Sequence, residues 1–243
     1  MRRAHVLTLG CLAASLPLAG CLEGGGGTTG EAGAGGFHYE CVAWGDPVCD
    51  GEQPVGLFDP LYDEASRQEI PVSIAVGSAF GVRFYDANGT SSSQRRPVEA
   101  AATAFLSELP EDDAFVAVRS GSVALLAQNG AGGVVDLVHI RLEEPQQVNI
   151  VAASTALEVG DEISLTTEVF GASRQLGGAL PHTWTLRGDG EGELSHPYDS
   201  SDDALTDDHV TFRALTEGTV TVSVEVAEGV VGTLSLRITG PAQ

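Results

Sequence analysis

From residue 70 onward, apolar side chains recur at every second position in short bursts, each ended by glycine, asparagine, aspartate or proline. Alternation of this kind is the signature of a strand with one buried face, and it predicts strands throughout with no sustained helical stripe. Ile70, Val72, Ile74 and Val76 share one face, followed by a turn at Gly77; Phe80, Val82 and Phe84 follow at the same period and end at the tight-turn dipeptide Asn88-Gly89. Residues 98–109 are alanine-rich and suit a short helix as well as a strand. Strand character returns at 115–118, 123–127 and 134–142, and Glu143-Glu144-Pro145 closes the unit.

Beyond Pro145 the pattern repeats. Ile74-Ala75-Val76-Gly77 answers to Leu157-Glu158-Val159-Gly160, and Phe80, Val82 and Phe84 to the alternation of Ile163, Leu165, Thr167 and Val169. Gly121-Ser122-Val123-Ala124-Leu125 answers to Gly218-Thr219-Val220-Thr221-Val222, and the last strands, from Gly133 and from Gly229, agree best. Each reaches a proline three residues on, Pro145 and Pro241. The repeat predicts an all-β chain of two tandem β-sandwiches, 70–145 and 146–243.

Residues 1–20 precede this with no such alternation. Arg2 and Arg3 are followed by an apolar run of about a dozen residues, too short for a permanent span. This is the form of a secretory signal peptide. Its end, Leu18-Ala19-Gly20-Cys21, resembles the lipobox of bacterial lipoproteins, which implies that Cys21 takes the lipid (diacylglycerol, palmitate) and becomes the new N-terminus. Leu22 stands where retention in the inner membrane of enteric bacteria uses aspartate, so the outer membrane is the expected location. Residues 21–36 are a glycine-rich tether, too poor in apolar side chains to fold.

Exported thiols pair, and with Cys11 in the leader and Cys21 lipidated, Cys41 and Cys49 remain. A disulfide there closes a nine-residue loop and is worth about 2.6 kcal/mol by loop entropy. The competing reading is a metal or redox site with His38. Phe37, Tyr39 and Trp44 are expected to pack beneath this staple or onto the next sheet, the alternative being an aromatic contact surface, and 37–69 is expected to be a stapled segment and connecting loop.

The second unit resembles bacterial immunoglobulin-like domains. The resemblance rests on Val159-Gly160, on Trp184 in His182-Thr183-Trp184-Thr185-Leu186, on Val210-Thr211-Phe212, on Glu217-Gly218-Thr219-Val220-Thr221-Val222, and on the final alternating strand. It implies an immunoglobulin-like sandwich with Trp184 in the core. The first unit lacks a tryptophan at the corresponding place, and neither unit has the inter-sheet cysteine pair of antibody domains.

Composition narrows the function. The formal net charge is -22, and all 12 basic residues are arginine. Such a chain repels phosphate backbones, so nucleic acid is not an expected partner. Gly-x-Ser-x-Gly, His-Glu-x-x-His, phosphate-loop and dinucleotide fingerprints are absent from the sequence. His139, His182, His196 and His209 read as solvated surface residues. The one chemical anomaly is the acidic stretch 188–209, in which Asp199, Asp202, Asp203, Asp207 and Asp208 are weak calcium candidates. The expectation is a non-enzymatic, cofactor-free, lipid-anchored binding or display protein with an unidentified protein or polysaccharide partner. The alternative is a metal-dependent hydrolase, or an accessory subunit of one, working through that acidic loop.

Overall fold

A computed structural model describes residues 35–40, 46, 70–86, 95–109, 114–196 and 208–240. The first sandwich contains β1 (Gly36–Glu40), β2 (Ile74–Ala75), β3 (Ala79–Tyr85), β4 (Arg95–Arg96), β5 (Val98–Ala100), β6 (Leu106–Leu109), β7 (Ala114–Ala117), β8 (Gly121–Gln128) and β9 (Val134–Glu143). The second contains β10 (Gln147–Ala152), β11 (Ala156–Glu158), β12 (Glu162–Phe170), β13 (Thr183–Gly188), β14 (Gly192–Ser195), β15 (His209–Ala214), β16 (Gly218–Ala227) and β17 (Val230–Thr239).

The two share one wiring. One sheet runs β1-β3-β7-β6 in the first sandwich and β10-β12-β15-β14 in the second; the facing sheet runs β2-β9-β8-β5 and β11-β17-β16-β13. Lettered in chain order this is A-B-E-D against A′-G-F-C, the immunoglobulin arrangement, with the first strand split so that its second half pairs in parallel with the last. The chain therefore carries two tandem immunoglobulin-like sandwiches. The sequence repeat survives as register: Ser122↔Arg141, Ala124↔His139 and Leu126↔Leu137 in one correspond to Thr219↔Arg237, Thr221↔Ser235 and Ser223↔Thr233 in the other. Gly77 and Gly160 turn the same corner with φ of 90° and 99°.

Each sandwich has its own core, because period-two alternation delivers one face of every strand to the gap between sheets. Phe80, Val82, Phe84, Leu106, Leu125 and Leu142 fill the first. Leu165, Trp184, Val210, Phe212, Val222 and Leu236 fill the second, where Trp184 takes the buried position expected of it.

The structure corrects several readings. Phe37 and Tyr39 pack onto the sheet, the second of the two expected placements: they are inward residues of β1, which pairs along its whole length with β3, so the first sheet begins well before residue 70. Residues 70–73 form no strand and Val72 points to solvent, 49% exposed, because this stretch crosses from one sheet to the other. The ambiguous 98–109 stretch holds no helix; its alanines make the turn between β5 and β6, closed by the Phe105 amide donating to the Ala102 carbonyl. His182 is buried, not solvated, with one ring nitrogen on Thr167 Oγ1 and the other on the Leu180 carbonyl.

Candidate functional site

The most constructed feature of the molecule is the joint between the sandwiches. The β12–β13 loop carries Leu176, Leu180 and a glycine-rich turn, and it lies against the crossing strand segment 73–79 of the first sandwich. Gly177 donates to the Ser73 carbonyl and accepts from the Ala75 amide, both at 2.9 Å. Ala179 and Ala79 exchange a second pair, at 2.8 and 2.9 Å. Backbone pairing of this kind fixes orientation as a sheet does, whereas domains linked only by side chains move relative to one another by default. Ala75 belongs to the second sandwich's core, so apolar burial is continuous across the joint.

A buried polar clasp completes it. Asp46 Oδ1 accepts the Gly178 amide at 3.1 Å and its Oδ2 accepts the Tyr39 hydroxyl at 2.5 Å. Nearby, Ser73 Oγ donates to Glu143 Oε1 at 2.6 Å, and Arg141 Nε lies 3.0 Å from the same oxygen. Burial first, and the Asp46 charge second, hold the Tyr39 phenol well above its ordinary value of 10.0. A phenol whose folded value is raised contributes stability that is whole below that ordinary value and fades as pH climbs toward the folded one. Alkaline denaturation of the wild type should therefore steepen above pH 10, and Tyr39→Phe should flatten it; identical alkaline limbs would disprove the clasp's role.

Two outward faces carry apolar side chains. On the β5-β8-β9 sheet of the first sandwich, Leu126 and Leu137 face outward as a cross-strand pair, flanked by Ala124 and His139. The second sandwich has Ser223 and Thr233 at that register, so the fold itself does not demand leucine there. At the far end of the second sandwich, Val159 and Leu215 are 37% and 41% exposed on adjoining turns, joined by the Gly160 amide donating to the Ala214 carbonyl.

The sequence-based candidates distribute unevenly. Cys21, Cys41, Cys49, Asp199, Asp202, Asp203 and Asp207 lie outside the described residues. Asp208 is buried and His209 hydrogen-bonds Ser164 on the open face of the second sandwich. Among the described residues no three His, Cys, Asp or Glu side chains gather as a metal site, and no helix is long and apolar enough to cross a membrane. Asp189, at the head of the acidic stretch, works structurally, accepting the Thr219 amide at 2.8 Å, and that bond holds its carboxyl below the usual range. The joint leaves little trace in the sequence, since its partners are backbone groups; the available signal is Gly177-Gly178 beside a buried-strand pattern.

No protein-family model and no curated relative matches the chain. Among solved structures it is similar to the Yersinia pseudotuberculosis adhesin InvE, at 14% identity and a TM-score of 0.33, over 70% of this chain and 57% of that one. It is also similar to domains 4 and 5 of the S-layer protein SbsC, at 14% identity and 0.31, over 86% and 99% of the two chains. A third is the Escherichia coli adhesin FdeC, at 14% and 0.34, over 70% and 62%. The chain spans just over half the length of the InvE chain it matches. At these scores the fold assignment rests on the strand pairing itself: the chain is a tandem of immunoglobulin-like sandwiches joined through backbone hydrogen bonds.

Proposed function

We propose that this is a lipid-anchored envelope protein whose work is presentation: a stiff pair of sandwiches on a glycine tether, offering its outward faces and far loops to a protein or polysaccharide. The observation that carries this reading is the joint. A backbone-paired, polar-clasped contact between two sandwiches serves a spacer that must hold its far end at a fixed bearing, and no step of a chemical reaction uses it. Cys21 as the lipid site and the outer membrane as the location belong to this proposal and are supported by the leader's Leu18-Ala19-Gly20-Cys21. With the tether at the first sandwich, the turns bearing Val159 and Leu215 stand farthest from the anchor along the chain's two-sandwich axis.

The test has two arms. Expression in a bacterium fed radiolabelled palmitate should label the wild type and leave Cys21→Ser unlabelled; equal labelling of both removes the anchor. A hydrolase substrate panel, run with calcium or zinc, should stay at background. Metal-dependent turnover abolished by His209→Ala would replace presentation with catalysis.

A further inference from the structure

The hairpin joining β8 to β9 is one place where the first sandwich departs from the second. Two residues, Glu228 and Gly229, join β16 to β17, whereas five, Asn129-Gly130-Ala131-Gly132-Gly133, join β8 to β9. One side chain organises the longer loop. Asn129 Oδ1 accepts the Ala131 amide at 3.0 Å and the Gly133 amide at 2.9 Å. Its main chain is tied into the same turn, the Asn129 amide donating to the Gly133 carbonyl at 2.8 Å and the Gly132 amide donating to the Asn129 carbonyl at 2.9 Å. The carboxamide lies flat on Gly133, where a built Cβ would come within 2.9 Å of Asn129 Nδ2.

Two backbone N–H groups converging on one carbonyl oxygen make an oxyanion hole, and they favour any reaction that places negative charge on that oxygen. Attack at Asn129 Cγ is such a reaction. The adjacent nucleophile is the Gly130 backbone nitrogen, which no side chain shields, and Gly130 is exposed with nothing within 4 Å of its built Cβ. The glycines at 130, 132 and 133 give the loop the backbone freedom to bring that nitrogen onto Cγ. Asn149 is the contrast: it lies within β10, paired to Glu168, and the β-branched Ile150 follows it. Its side-chain oxygen faces the Gln147 Nε2 group at 2.8 Å, a contact between two side chains on one strand.

We propose that Asn129 is a site of spontaneous modification, passing through a cyclic imide to aspartate and isoaspartate. Hydroxide removes the Gly130 N–H proton, and the freed nitrogen pair bonds to Cγ while the Cγ–Oδ1 π pair moves onto Oδ1, which the Ala131 and Gly133 amides hold. The oxyanion then collapses. Nδ2 leaves as ammonia, taking a proton from water and so restoring the hydroxide. Water next adds at either ring carbonyl, breaking its bond to nitrogen and returning a proton to that nitrogen. Opening at Cγ gives aspartate, whose carboxylate still accepts both amides, so the hairpin keeps its shape. Opening at the main-chain carbonyl gives isoaspartate, in which the chain runs through Cγ and gains a methylene, so the Gln128↔Val134 pair at the loop's mouth is lost. Either product adds a negative charge to a chain whose formal charge is already -22. The modification is independent of what the protein binds.

The full chain is held in mildly alkaline water enriched in heavy oxygen, then digested in ordinary water and sequenced by mass. The peptide containing Asn129 should gain one heavy oxygen and split into aspartate and isoaspartate forms, the second of which accepts a methyl group from S-adenosylmethionine through an isoaspartyl methyltransferase. Peptide mapping keeps this site apart from Asn88-Gly89. Gly130→Val shields the nitrogen at a position with open space around it, and Ala131→Pro deletes one donor of the pair. Each should slow the conversion several-fold while the β circular dichroism is retained. Conversion at Asn129 no faster than at Asn149 in the same sample would overturn the proposal. So would an unchanged rate in Gly130→Val, which marks hydrolysis without the ring. Equal rates in the wild type and Ala131→Pro would overturn the part assigned to the amide pair.

Discussion

Gly178→Ala is expected to release the two sandwiches from one another while leaving each folded. The residue sits with φ at +97°, and a Cβ built on it collides with Ser78 Oγ and comes within 2.7 Å of Ser78 Cβ. The left-handed backbone alone costs a side chain about 1–2 kcal/mol. The collision costs more, because Ser78 is itself buried and donates to the Ala75 carbonyl at 2.7 Å, so it has nowhere to turn. The loop must lift, and with it go the exchanges of Gly177 with Ser73 and Ala75, the pair between Ala179 and Ala79, and the Gly178 amide on Asp46. At about 0.5–1.5 kcal/mol net for each hydrogen bond, their joint loss is enough to open a contact of this size. Gly160→Ala is the matched control, since Gly160 has φ of +99° and nothing within 4 Å of the built Cβ. It carries the backbone strain without the collision. Nuclear relaxation should give the two sandwiches one common tumbling time in the wild type and in Gly160→Ala, and separate, shorter times in Gly178→Ala. A single tumbling time in Gly178→Ala would show that the joint does not depend on this turn.

The contrast between those two glycines also shows what a sequence discloses. Gly160 and Gly77 are legible because each ends a strand in a repeated pattern, and the repeat carries through to register: the glycine hairpins leading into β9 and β17 place seven successive cross-strand pairs in equivalent positions. Trp184 is legible for the same reason. Gly178 is not, because its partners are a serine hydroxyl and a carboxylate 100 or more residues away, and contacts of backbone groups leave no period. The first strand is hidden for a different reason. Phe37 and Tyr39 alternate over only five residues and are parted from β2 by 33 others, so the nearby cysteines offer the stronger pattern. Val72 misleads because its alternation with Ile74 is real while its backbone is already leaving the sheet to reach Gly177 through Ser73. His182 misleads because a histidine with both nitrogens satisfied can be buried, and nothing local announces the Thr167 hydroxyl that makes this possible.

Phe80→Ala should produce the largest loss of stability, confined to the first sandwich. Phe80 is wholly buried between the Tyr39 ring, stacked with centroids 6.3 Å apart, and the Phe115 ring at 5.8 Å. Removing a buried phenylalanine side chain costs about 3–5 kcal/mol through lost transfer energy and the cavity left behind. In a domain of this size each kcal/mol lowers the melting temperature by about 4–8 °C, so the first sandwich should melt tens of degrees early. The damage also has a route to the joint, since Tyr39 holds Asp46 and Asp46 holds the Gly178 amide. The second core contributes no residue to that ring stack and should keep its own transition. Calorimetry should accordingly separate into two peaks, and hydrogen exchange should show protection lost in β3 and β7 and retained in β12 and β16. The control is the double change Leu126→Ser, Leu137→Thr, which installs the second sandwich's own pair at the same register on an outward face. Being solvent-side, it should move stability by less than about 1 kcal/mol. Loss of protection in β12 and β16 alongside β3 in Phe80→Ala would mean that the tandem unfolds as one unit, with the joint strong enough to bind two cores into a single cooperative transition.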